Sequence, residues 1–118
     1  GVVPVMAPLT HDGEGNMLNT NADTIAGETA KALAQFFDVT LVFCFEKKGV
    51  LRDENDDDSV IPQITPAEFN QYVADGIIQG GMIPKLENSF EAINAGVSEV
   101  VITLASAING DSGTRIKK

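Results

Sequence analysis

The chain has 118 residues, 43% of them hydrophobic, which suits one compact domain and leaves no room for a second complete one. With 17 acidic against 8 basic residues its formal charge is −9, a balance that repels nucleic-acid phosphates and argues against a nucleic-acid partner. No apolar run approaches the ~20 residues of a membrane helix and no signal-like stretch opens the chain, so no membrane role and a cytoplasmic location are expected.

Gly1-Val2-Val3-Pro4-Val5 opens without an initiator Met and reads as the lead-in to a strand of something longer. Val2 to Ala7 is a short apolar run, and Pro4 suits it to an edge or a strand start. Asp12-Gly13 marks a tight reversal, after which Met17 and Leu18 pair back as a hairpin. From Asn21 the period changes: Ala22, Ile25, Ala26, Thr29, Leu33 and Phe37 recur at helical spacing, with Asn21 as cap and Asp23 in the first turn. Val39 to Phe45 is almost continuously apolar, as in a parallel strand covered on both faces, and is expected to lie centrally, with Cys44 a small buried hydrophobe. One cysteine allows no disulfide framework.

Arg52 to Ser59 is a polar loop expected to be mobile. Thr65-Pro66-Ala67-Glu68 is a capping box that opens a helix burying Phe69, Tyr72 and Val73, and Gly76 ends it. A further helix follows Gly80-Gly81, sets Met82, Leu86, Phe90, Ile93 and Val97 on one face, and stops near Gly96. Val100 to Leu104 forms a strand parallel to Val39 to Phe45. Strands alternating with helices predict an α/β fold, a three-layer sandwich with a mainly parallel sheet.

Ligands on such sheets bind beyond the carboxyl ends of strands and at helix N-termini, which singles out 19–23, 46–51 and 80–85. Gly80-Gly81-Met82-Ile83-Pro84-Lys85 exposes backbone N–H groups at a helix start, a geometry for binding an anion. Lys85 stands at the positive end of the helix dipole, uncomfortable unless an anion intervenes. Two readings stand, a phosphate-binding turn or a loop glycine pair beside a solvated lysine. Asn19 to Asp23 is equally a helix cap, and Glu46-Lys47-Lys48-Gly49 equally an ordinary charged strand exit. Asp53 to Asp58 imitates a calcium loop, but Asp58 stands where glycine is required and Ile64 where a bidentate Glu is. Gly13-Glu14-Gly15 lacks the third glycine of a dinucleotide fingerprint, and His11, the single histidine, has no companions for a metal site.

Val-Pro-Val-Met-Ala-Pro, then Asn19-Thr20-Asn21-Ala22-Asp23-Thr24 with Ala26-Gly27, then Gly49-Val50-Leu51, then Asp75-Gly76-Ile77-Ile78-Gln79-Gly80-Gly81-Met82-Ile83-Pro84-Lys85 follow one another in an order that resembles the acetylglutamate kinases of arginine biosynthesis. The resemblance runs from Gly1 to about Val101 and implies the C-terminal half of an amino acid kinase (carbamate kinase-like) fold. It implies Lys85 and Asp23 as catalytic residues, the lysine on the transferring phosphoryl group and the aspartate organising the lysines. It implies Asn19 as a contact to the acylglutamate, and Glu46, Lys47, Gly49, Leu51, Gly80, Gly81 and Met82 as nucleotide contacts. ATP, with Mg2+ held mainly through its phosphates, and N-acetylglutamate are then the substrates, with in-line transfer to the γ-carboxylate. N-succinylglutamate, or another acidic acceptor, is the alternative substrate, and a non-catalytic nucleotide-binding or structural module the alternative of another class. A missing N-terminal half with a second lysine is the implied partner, and a homo-oligomer the implied assembly. Two departures stand out. Phe45-Glu46-Lys47-Lys48 replaces the family's usual Thr-Asp-Val-Pro, and Ser106 to Asp111 leads directly to Gly113-Thr114-Arg115-Ile116 where relatives place a helix.

Overall fold

The computed structural model describes residues 1–108 and 112–118, so part of the stretch from Ser106 to Asp111 lies outside the described residues. No strand forms over Val2 to Ala7, where Pro4 removes one donor and no described strand runs alongside. Val2, Val3 and Val5 are almost fully exposed. The first strands are instead β1 (Leu9–His11) and β2 (Met17–Asn19), the expected antiparallel hairpin. Gly13 and Gly15 take positive φ in its turn. The Asn16 side-chain amide and the Glu14 N–H both donate to Asp12, which holds that carboxyl below its ordinary pKa.

Helix α1 (Ala22–Leu33) starts where the cap predicts: the Asn21 Oδ1 accepts from the Asp23 N–H at 2.8 Å, a bond of the kind whose loss costs about 1 kcal/mol. It ends short of Phe37. Phe36 and Phe37 fold back in a turn onto the Leu33 carbonyl and stay exposed. In α2 (Pro66–Ala74) the Thr65 hydroxyl caps the Glu68 N–H and Gly76 at φ 74° reverses the chain after the helix. Phe69, Tyr72 and Val73 are half-buried against the core. Helix α3 (Met82–Asn94) buries Leu86, Ser89 and Ala92, and Gly96 at φ 109° follows it.

The main sheet runs β3 (Thr40–Phe45), β5 (Glu99–Leu104), β6 (Thr114–Ile116), β4 (Gln63–Ile64) in that order. The β3/β5 and β4/β6 pairs are parallel and β5/β6 antiparallel, so the α/β class and mainly parallel sheet are as expected. Strand β3 runs parallel to β5, as expected, with Leu41 beside Val100 and Phe43 beside Ile102.

It is not central, however. Among the described residues β3 is an edge, and β5, buried from Val100 to Thr103, holds the middle. Leu41 and Phe43 face the helices and are buried, while Thr40, Val42 and Cys44 on the other face are exposed. Cys44 is therefore not a core residue. A run that reads as covered on both faces is covered here on one. On that face Leu41, Phe43, Ile64, Val100, Ile102 and Ile116 pack with Ala30 of α1 and Leu86 and Ala92 of α3. Each large apolar side chain so buried contributes about 1.5–3 kcal/mol.

Candidate functional site

Two helix N-termini meet above β3. Asp23 belongs to the first turn of α1 and Lys85 to the start of α3, and α1 packs against α3. The Lys85 Nζ donates to Asp23 Oδ2 at 2.7 Å, the lysine side chain 13% exposed and the aspartate 31%. The same ammonium lies 4.8 Å from the Phe43 ring centroid, a cation–π contact that adds to its hold. Asp23 sits at the favourable end of α1, and its carboxylate answers the conflict between Lys85 and the α3 dipole inside the chain. Comfort at the helix terminus therefore does not by itself require an external anion. What points to a ligand is the space beside the lysine.

That space is a cavity of about 570 Å³ at the carboxyl end of β3 and the start of α3, within the range of small-molecule sites. The chain leaving β3 contributes Phe45, Glu46, Lys47, Gly49, Val50 and Leu51 to its lining, and the approach to α3 and its first turns contribute Ile77, Gly81, Met82 and Lys85. Gly80 takes φ 57° and Gly81 begins α3 without a side-chain cap or an acidic residue in the first turn. Of the residues singled out in the sequence, Glu46, Lys47, Gly49, Leu51, Gly81, Met82 and Lys85 share this cavity, with Asp23 bonded to Lys85. Gly80 and Asn19 do not line it. Asn19 is exposed at the end of β2, paired with Leu9.

Sequence reasoning missed Glu54, Asn55 and Gln79, which also line the cavity. Gln79 comes from the connection between α2 and α3, and Glu54 and Asn55 arrive because 50–61 is a hydrogen-bonded hairpin rather than a loose loop. Leu51 bridges Val60, the Arg52 N–H donates to the Ser59 carbonyl, and the Ile61 N–H donates to the Val50 carbonyl. Inside the tip, the Ser59 hydroxyl donates to the Asp53 and Asp56 carbonyls, and Asp53 and Asp56 side chains cap local N–H groups. Arg52 stacks over Tyr72 of α2 and donates to its hydroxyl at 3.2 Å. A signal was present in the alternation of Asp, Asn and Ser, residues that bond their own backbone, but a polar run reads first as solvent-exposed. Lys47 and Lys48 approach Asp57 and Asp58 at 3.8 and 3.5 Å, exposed pairs of small energetic weight. Among the described residues no cluster of three His, Cys, Asp or Glu side chains is arranged to hold a metal ion, and no helix is long and apolar enough to cross a membrane.

The model of the amino acid kinase family matches residues 1–104. The chain is 88% identical over all 118 residues to an acetylglutamate kinase of Bacteroides thetaiotaomicron, of which it covers 46%. Among solved structures it resembles smu.665 of Streptococcus mutans, with TM-score 0.78 and 35% identity over 97% of this chain and 42% of that one. It also resembles an N-acetylglutamate synthase of Neisseria gonorrhoeae, with TM-score 0.77 and 20% identity over 96% of this chain and 27% of that one, a likeness of fold alone. The chain spans about half the length of the curated relatives it matches.

Proposed function

This chain belongs to the amino acid kinase family, and from that premise we propose that it is the nucleotide-binding half of an acetylglutamate kinase. The observation that carries the reading is the gathering of Lys85, Gly81, Met82 and the 46–51 wall around one cavity, in a chain 88% identical to a curated acetylglutamate kinase. The cavity fits a nucleotide: Phe45, Val50, Leu51 and Ile77 supply an apolar wall for a base, and Lys85 at the start of α3 supplies a cation for phosphates.

Lys85 acts on the γ-phosphoryl group as its charge spreads in the transition state, and Asp23 holds the ammonium in place. Asn19 contacts the acylglutamate. The phosphoryl group passes in line to a γ-carboxylate oxygen, giving an acyl phosphate and ADP. Mg2+ is carried by the phosphates. The catalytic help is electrostatic and positional, and the missing half brings a second lysine and most acceptor contacts.

The test is the full-length enzyme supplied with MgATP and either N-acetyl- or N-succinyl-L-glutamate, with the acyl phosphate trapped by hydroxylamine. Hydroxamate with the acetyl acceptor above that with the succinyl one is expected. No hydroxamate with either acceptor would sink the reading. The isolated 118 residues are expected to give none, since acceptor contacts lie elsewhere. Hydroxamate above the no-enzyme blank from the isolated chain contradicts this division of labour.

A further inference from the structure

Thr114 in β6 is fully buried and does not line the cavity, yet its hydroxyl bonds to the backbone of Val50, which does. The hydroxyl oxygen accepts from the Val50 N–H at 2.8 Å, and the hydroxyl donates to the Ile61 carbonyl at 2.7 Å. Val50 and Ile61 are the two feet of the 50–61 hairpin, joined to each other by the Ile61 N–H donating to the Val50 carbonyl at 2.8 Å. One side chain therefore pins both feet from β6. Gly49 presses on the same spot, where a Cβ would lie 2.8 Å from Thr114 Oγ1 and 3.1 Å from the Thr114 amide nitrogen. The tip of the pinned hairpin carries Glu54 and Asn55 into the cavity, and its base continues into Gly49 and Leu51.

We propose that Thr114 is a positioning residue for the nucleotide, fixing the height of the Gly49 to Leu51 wall and of the Glu54 and Asn55 tip above the cavity. This rests on the nucleotide reading of that cavity. A hydroxyl is needed because both partners are buried backbone groups, one a donor and one an acceptor, and only a group able to do both satisfies them at once. Valine has the same shape and satisfies neither. Lys85 belongs to α3 and is held by Asp23 of α1 rather than by the hairpin, so the loosened hairpin weakens nucleotide binding and leaves phosphoryl transfer in the filled site intact.

The experiment is steady-state kinetics on the full-length enzyme carrying Thr114→Val or Thr114→Ser. Thr114→Val is expected to raise KM for ATP about tenfold or more, with kcat and the acceptor KM within about twofold, and Thr114→Ser to restore the wild-type KM. A folded Thr114→Val enzyme with unchanged KM for ATP overturns the proposal, as does a loss confined to kcat or a Ser variant as impaired as Val. If Thr114→Val does not fold, Thr114→Cys, which puts a weak hydrogen bonder in place of the hydroxyl, is read by the same criteria. Failure of both to fold while Thr114→Ser folds assigns the hydroxyl to overall folding and also overturns it. Binding of a non-hydrolysable MgATP analogue separates the two levels. No binding by wild type sinks the nucleotide reading and the proposal with it, whereas equal binding by wild type and Thr114→Val sinks the proposal alone.

Discussion

Replacing Lys85 with alanine in the full-length enzyme is expected to lower kcat by about 10²- to 10³-fold with little change in acceptor KM, the size of effect seen when one transition-state charge donor is removed. The lysine is held by Asp23 at 2.7 Å and by the Phe43 ring, so its ammonium is fixed beside the cavity before any ligand arrives. Alanine removes that charge and leaves a part-buried Asp23 without its partner, so a moderate loss of stability is expected as well. Asp23→Asn makes a different forecast. It keeps an oxygen near Lys85 but removes the countercharge, leaving the ammonium to face the α3 N-terminus alone. A smaller fall in kcat is expected, from disorder of the lysine. Kinetics paired with thermal melts decide the matter, since a Lys85→Ala protein that melts normally and keeps wild-type kcat has lost only a structural ion pair.

The largest expected effect on stability is at Gly113. Its φ is 107°, and a Cβ there would lie 2.7 Å from the Ile102 carbonyl oxygen and 2.8 Å from the Thr103 Cβ. Neither neighbour can yield, because both belong to β5, the central strand. Backbone strain and overpacking then add, and Gly113→Ala is expected to cost about 3 kcal/mol or more, lowering Tm by about 6–12 °C in a protein of full length. Gly13 separates the two causes. It too has positive φ, at 84°, but nothing within 4 Å of a Cβ, so Gly13→Ala is expected to cost about 1 kcal/mol, from strain alone. Equal melting temperatures for the two variants would mean that β5 adjusts to the intrusion and that the close approach carries no cost.

What could be read from the sequence is what is local. Asn21, Thr65 and the glycines at 76 and 96 mark the helix ends because a cap or a reversal is settled within three or four residues. The Asp12-Gly13 hairpin is legible for the same reason. The place of β3 in the sheet was not, because its composition reports what it prefers to be covered by, while its neighbours are chosen by pairing with distant strands. β4 is two residues long and β6 three, too short for any periodicity to show. Of the cavity lining, Lys85 with its partner Asp23, Gly81 and most of the 46–51 segment were singled out through helix starts, a strand exit and motif resemblance. Thr114 escaped because its partners Val50 and Ile61 are 64 and 53 positions away, and nothing about a lone threonine near a chain end announces such a reach.

The position of β3 at the edge of the sheet has a consequence for how such a polypeptide survives alone. Thr40 to Phe45 is six residues of Thr-Leu-Val-Phe-Cys-Phe without a charge or a proline, and among the described residues no strand pairs with one of its edges. That composition at a bare edge is what seeds cross-β aggregation. Asp38 on one side and Glu46-Lys47-Lys48 on the other place charges at both ends of the run, where gatekeepers slow stacking of one copy on another. Solubility of this strand, then, rests on the four charges that flank it for as long as its free edge stays unpaired.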